Sequence, residues 1–81
     1  MKVRLKFFSI LKNRLGGSER ELSLDRPVSI GDLFFRLIGN RTEAERMIRF
    51  IRFAVNNEYV PPDTLVHNGD EVAMIPPVSG G

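Results

Sequence analysis

The first residues of the chain alternate between charged and apolar side chains, and this alternation strongly constrains the local structure. In a β-strand, Val3, Leu5 and Phe7 lie on one face, whereas Phe8 belongs with the charged residues on the other face. The pattern predicts a half-buried strand. Residues 19–24 alternate again, so we expect the first two strands to form an antiparallel hairpin, joined through a short helical turn.

The middle of the chain carries two helix-start signals. Ser29 and Asp32 have the spacing of a capping box, which predicts the start of the main helix. Its apolar positions recur at helical spacing: Leu33, Phe34, Leu37 and Ile38. Thr42 with Glu45 repeats the capping signal and predicts a second, shorter helix. The phenylalanines in this part of the chain are predicted to lie in the core: Phe34, Phe35, Phe50 and Phe53.

Strand patterns return after the helices. Residues 53–55 are a strand candidate, a turn is predicted at Asn57-Glu58, and residues 59–60 form a short extension. A tight turn at residues 68–70 precedes a last strand over residues 71–75. Strands at both ends of the chain and a helix between them predict an α+β fold, with one mixed sheet folded over that helix.

Composition excludes several kinds of site. The chain has no cysteine and a single histidine, so it can form neither a disulfide, a thiolate metal site nor a multi-histidine metal site by itself. Its net charge of +2 is too small to indicate a nucleic-acid partner, and no apolar run has the length of a membrane span. Residues 1–41 carry an excess of basic groups and residues 42–81 an excess of acidic groups, a distribution that suits docking to another protein. We expect a cytoplasmic protein.

The six residues after the last predicted strand are the most informative segment: Pro76, Pro77, Val78, Ser79, Gly80 and Gly81. The two prolines cannot donate to a sheet ladder, and they favour an extended conformation. The last two residues lack side chains, so the segment can enter a channel too narrow for a Cβ atom and present the Gly81 carboxylate. That carboxylate is a nucleophile for the α-phosphate of a nucleotide bound to a partner enzyme. We therefore predict a domain over residues 1–75 and an extended tail over residues 76–81.

Strand alternation also predicts a docking surface. If Val72 and Met74 face the core, Ile75 points outward beside the start of the tail. Phe8 points outward by the same argument, and Tyr59 can complete an exposed apolar surface. We predict that these three residues contact a partner protein. The alternative is that Phe8 and Ile75 pack under the neighbouring turn or the tail.

Several segments together resemble a known family. Residues 7–16 (FFSILKNRLG), 54–58 (AVNNE) and 65–73 (LVHNGDEVA), with the tail PPVSGG, are similar to the small subunit of molybdopterin synthase, the MoaD family. This family belongs to the ubiquitin-like sulfur carriers. The resemblance covers essentially the whole chain and implies a β-grasp fold, with about five strands in a mixed sheet on one main helix.

The resemblance also implies a function. An E1-like adenylyltransferase uses ATP to adenylate the Gly81 carboxylate, and a sulfur donor protein converts the product to a thiocarboxylate. The tail residues 76–80 then carry Gly81 into the large subunit of the synthase, where the sulfur passes to a pterin precursor. This chain is thus expected to be a carrier rather than an enzyme on its own, with no bound cofactor and no metal.

Three other functions remain open on the sequence. The same carrier chemistry can serve thiamine synthesis or tRNA thiolation, since thiamine-pathway carriers also end in Gly-Gly. A ubiquitin-like modifier would instead be conjugated through Gly81 to lysines of other proteins. A purely structural adaptor would need neither sulfur nor Gly81.

Overall fold

The computed structural model describes residues 1–77. In chain order, the elements are β1 (Lys2–Phe7), α1 (Ile10–Arg14), β2 (Glu19–Ser23), α2 (Ile30–Ile38), α3 (Arg41–Ile48), β3 (Arg52–Val55), β4 (Glu58–Val60) and β5 (Glu71–Ile75). Among these residues, no helix combines the length and the apolar character that crossing a bilayer requires.

The strands of this part of the chain form one mixed sheet in the order β2-β1-β5-β3-β4. β1 and β2 pair antiparallel, which confirms the predicted N-terminal hairpin. β5 lies at the centre, parallel to β1 and antiparallel to β3, and β4 completes the other edge. The predicted mixed sheet of about five strands is therefore confirmed.

The core lies between one face of the sheet and the helices. Val3, Leu5 and Phe7 of β1 are buried, as the alternation predicts, and Val72 and Met74 of β5 are buried with them. The helices contribute a further set of buried apolar side chains: Leu11, Ile30, Leu33, Phe34, Ile38 and Ala44. The rings of Phe34 and Phe53 meet edge to face, with centroids 5.9 Å apart. An edge-to-face pair of this kind adds to the free energy gained from burial alone.

Side chains and glycine define the helix ends. The Ser29 hydroxyl accepts a hydrogen bond from the backbone N–H of Asp32 at 3.1 Å, which confirms the predicted start of α2. α2 ends at Gly39, whose φ of 80° lies in the left-handed region that favours glycine. The predicted start of α3 at Thr42 is wrong. Asn40 is the cap, and its side-chain oxygen accepts from the N–H of Glu43 at 2.9 Å, because α3 begins directly after the turn that ends α2.

Two further details of the prediction are wrong. Phe50 is 66% exposed rather than buried, because α3 ends at Ile48 and Phe50 lies in the turn before β3. The predicted turn at Asn57-Glu58 lies one residue earlier, at Asn56 and Asn57, which have φ values of 50° and 71°. Asparagine tolerates these positive φ values, which a two-residue hairpin turn needs, so Glu58 is free to begin β4.

Candidate functional site

The base of the predicted tail lies at the centre of the sheet. β5 is paired with β1 on one side up to Met74, and with β3 on the other side up to its last residue, Ile75. Pro76 is buried and Pro77 is exposed. Because β5 is paired on both sides up to Met74 and still with β3 at Ile75, the chain reaches Pro77 directly from a strand inside the sheet. Residues 78–81 lie outside the described residues, and the roles predicted for Val78, Ser79, Gly80 and Gly81 stay predictions.

One face of the sheet is turned away from the helices, and we call it the open face. The register of β5 and β3 pairs Ile75 with Arg52 and Ala73 with Ala54 on this face. β4 adds Tyr59, which pairs with Ala54 on the other side of β3. Paired residues point to the same face of a sheet, so these side chains form one continuous surface beside the tail base.

The three predicted docking residues are all accessible to solvent, although Phe8 follows β1 and Tyr59 lies on β4, at the far edge of the sheet. Tyr59 is 69% exposed, Phe8 is 46% exposed and Ile75 is partly exposed. Phe8 directly follows β1, which runs parallel to β5, so Phe8 and Ile75 lie at the same end of the sheet. The predicted outward orientation is confirmed, whereas the role in docking stays a prediction. The Arg52 guanidinium lies 5.8 Å from the centre of the Tyr59 ring.

The rest of the open face is charged. Glu71 of β5 lies between two basic residues of β1, with its carboxylate 3.3 Å from Lys6 Nζ and 3.6 Å from an Arg4 nitrogen. Lys2 Nζ lies 3.7 Å from the Glu21 carboxylate of β2. Exposed ion pairs of this kind add about 1 kcal/mol or less to stability. They form a charged half of the open face over β2, β1 and the start of β5. The other half, over the end of β5, β3 and β4, is apolar apart from Arg52. A partner that matches both halves would dock in one orientation.

A strained turn sets the position of Phe8. Ser9 has φ 54° and ψ −128°, a conformation that glycine adopts readily and other residues rarely. The N–H of Leu11 donates to the carbonyl of Phe8 at 3.1 Å and closes the turn around Ser9. The Ser9 hydroxyl makes no capping hydrogen bond. The sequence predicted a helical turn here, but nothing in it indicated a positive φ at a serine.

Replacing Ser9 with glycine is expected to stabilise the protein. Relief of the backbone strain, about 1–3 kcal/mol, exceeds the additional entropy that glycine loses on folding, about 1 kcal/mol. The free energy of unfolding from urea titration should therefore rise by about 1 kcal/mol. Ser18→Gly is the matched control, because Ser18 has no positive φ, and it should give no gain. A Ser9→Gly protein no more stable than the wild type would contradict this account.

The remaining polar residues of interest have structural roles. His67 is exposed, and its backbone N–H donates to the Asp70 carboxylate at 2.8 Å. The same carboxylate accepts from the Asn56 side chain at 3.1 Å, so Asp70 braces two loops at the end of the sheet distant from the tail base. Within residues 1–77, no three acidic or histidine side chains come together as a possible metal site.

Comparison with known proteins identifies relatives over the whole chain. Residues 5–81 match the ThiS family. A molybdopterin synthase sulfur carrier subunit from Chlamydomonas reinhardtii is 31% identical, with the alignment covering 100% of both chains. A protein of the same name from Mycosarcoma maydis is 36% identical over 98% of this chain and 92% of its own length.

A solved structure supports the architecture. SAMP1 from Haloferax volcanii superposes with a TM-score of 0.76 at 27% identity, covering 100% of both chains. The mixed sheet packed on α2 is therefore the ubiquitin-like β-grasp that the sequence predicted. The open face and the tail base thus lie on a scaffold shared with small carrier proteins.

Proposed function

This chain belongs to the ThiS family as a ubiquitin-like sulfur carrier, and we propose that it is the small, sulfur-carrying subunit of a molybdopterin synthase. The observation that carries the proposal is full-length similarity to molybdopterin synthase sulfur carrier subunits. The proposal is supported by exposed apolar side chains on the sheet face beside the end of β5, where the tail begins. A subunit of this type acts in a complex, so its activity depends on a partner protein.

The proposed chemistry takes place at Gly81. A carboxylate oxygen of Gly81 attacks the α-phosphorus of ATP on an E1-like adenylyltransferase, pyrophosphate leaves, and an acyl-adenylate forms. The terminal sulfur of a persulfide on the donor protein then attacks the acyl carbon, and AMP leaves. A second thiol cleaves the resulting acyl disulfide, which frees the thiocarboxylate and forms a new disulfide with the donor sulfur. ATP is thus consumed on the activating enzyme, and this chain needs no cofactor of its own.

The domain delivers the sulfur-loaded C-terminus to the sulfur acceptor. Phe8, Tyr59 and Ile75 contact the large subunit through the open face, and residues 76–80 carry Gly81 into its active site. The catalytic groups for transfer to the pterin precursor belong to the large subunit. Docking of the folded domain turns the encounter of thiocarboxylate and precursor into a local reaction, which is the usual rate advantage of positioning.

Intact-mass spectrometry tests the proposal. Wild-type protein incubated with a cognate activating enzyme, ATP and a sulfur source should gain the mass expected for replacing one oxygen with sulfur. A chain lacking Gly81 should stay unmodified and keep the wild-type thermal midpoint. When the thiocarboxylate form is mixed with the cognate large subunit and the pterin precursor, its mass should return to that of the carboxylate.

Other outcomes identify other functions. A wild-type chain that never gains sulfur would contradict the proposal. If the thiocarboxylate form gives its sulfur to a thiazole precursor or to tRNA, but not to the pterin precursor, the protein belongs to another thiolation pathway. Isopeptide-linked Gly-Gly remnants on cellular proteins would instead indicate a protein modifier.

A further inference from the structure

A second exposed apolar surface lies on the helix side of the sheet. α1 and α3 enclose a cleft of about 450 Å³, which we call the helical patch; its lining residues are Ile10, Arg14, Glu43, Arg46 and Met47. Ile10 is 60% exposed and Met47 is partly exposed, so the cleft presents apolar side chains to solvent beside three charged residues, Arg14, Glu43 and Arg46, which we call its rim. An apolar centre with a polar rim is the usual anatomy of a protein interface.

The rim carries a positive charge that the fold leaves unmatched. Arg14 pairs with Glu43 at 2.6 Å, which neutralises the acidic residue of the rim. Arg46 has no ion pair or side-chain hydrogen bond within residues 1–77. A complementary partner therefore presents an apolar side chain flanked by carboxylates. A symmetric contact with a second copy would bring the two positive rims together, so a self-contact is disfavoured.

The helical patch lies close to the tail base but on the opposite side of the sheet from Tyr59. α1 begins just after β1 ends, at the same end of the sheet as Ile75. α3 leads through a short turn into β3, whose first residue, Arg52, pairs with Ile75. α1 and α3 both contribute side chains to the core beneath the sheet, whereas Tyr59 and Ile75 belong to the open face. The two surfaces therefore flank the tail base, and one protein can occupy each at the same time.

We propose that the helical patch is the docking surface for the sulfur donor protein, which presents an apolar residue flanked by carboxylates. This inference rests on the proposed function. The activating enzyme and the donor must both reach one acyl carbon before the adenylate is lost. If the activating enzyme binds the tail and the adjoining open face, as the large subunit is proposed to do later, the helical patch stays uncovered. A donor docked there is near the tail base without displacing the enzyme.

A comparison of two sulfur sources distinguishes docking of the donor protein from docking of the activating enzyme. Sulfide attacks the acyl-adenylate directly and expels AMP, so charging with sulfide needs no donor protein. Thiocarboxylate formation is measured by intact mass, with the activating enzyme and ATP fixed and either the persulfide-loaded donor protein or sulfide varied. Arg46→Glu and Ile10→Ser are expected to raise the KM for the donor protein about tenfold, as loss of an interface anchor does, with kcat unchanged. With sulfide, both variants should match the wild type.

Matched controls make the same changes in charge and hydrophobicity at positions outside the helical patch. Arg26→Glu reverses an exposed charge outside the helical patch, and Leu65→Ser removes an apolar side chain that is 52% exposed elsewhere. Both controls should behave as the wild type with either sulfur source. Patch variants with a wild-type KM for the donor overturn the inference, as do variants impaired equally with sulfide, which would assign the patch to the activating enzyme. A patch-dependent dimer in sedimentation would overturn it in favour of a second copy. Failure of the wild type with both sulfur sources would contradict the proposed function itself.

Discussion

Replacing Phe34 with alanine is expected to remove a large part of the free energy of unfolding. Phe34 is fully buried between α2 and the sheet, and its ring meets that of Phe53 edge to face with an interplanar angle of 77°. Truncating a buried phenylalanine costs about 3–5 kcal/mol, because apolar contact is lost and a cavity remains. A small domain is stable by about 5–15 kcal/mol in total, so the variant should be close to unfolding at physiological temperature.

Urea titration followed by circular dichroism measures this effect. Phe50→Ala is the matched control, since it makes the same chemical change at a side chain that is 66% exposed. The control should lie within about 0.5 kcal/mol of the wild type. Equal losses in both variants would mean that burial of the Phe34 ring is not what stabilises the fold.

Replacing Ile75 with aspartate is expected to abolish tight binding to the large subunit while leaving the fold intact. Ile75 lies on the open face beside the tail base, and its register partner is Arg52, which can pair with the new carboxylate. The free energy of unfolding should therefore change by about 1 kcal/mol or less. A buried carboxylate at the centre of an apolar contact weakens binding far more, and we expect the Kd to rise about a hundredfold.

Isothermal titration with the cognate large subunit gives the Kd, and Ser23→Asp provides the control. Ser23 lies on the same face but in its charged half, at the opposite edge strand. It should bind almost as the wild type does. A wild-type Kd for Ile75→Asp would remove Ile75 from the interface, and a large loss for Ser23→Asp would extend the contact across the whole open face.

The sequence predicted those parts of the fold that depend on local periodicity. A period of two in β1 and β5 placed Val3 and Met74 in the core and Ile75 on the opposite face, and each is found there. The main helix was equally predictable from local signals. The Ser29 side chain suits the start of a helix, and the backbone freedom of Gly39 suits its end. These features need no knowledge of which strands are neighbours.

Features that depend on distant parts of the chain could not be predicted in this way. Alternation predicted outward-facing Phe8 and Ile75, but only the strand register shows that Arg52 and Ala54 of β3 extend this face beside β5. Phe50 looks like a core residue in the sequence, and only the end of α3 at Ile48 turns it outward. The helical patch likewise depends on two helices separated in sequence, so Ile10 alone gave no reason to expect it.

The central position of β5 has a consequence for the synthesis of the protein. Without β5, the β1–β2 and β3–β4 hairpins share no strand pairing, because β5 joins them. It is also the last strand of residues 1–77, and its pairing of Arg4 with Glu71 spans most of the chain. A nascent or truncated chain that stops before residue 71 leaves two unpaired strand edges, which are prone to aggregate. The sheet can therefore be completed only after β5 has been synthesised, and products that stop before residue 71 are expected to aggregate or be degraded rather than compete with intact carriers.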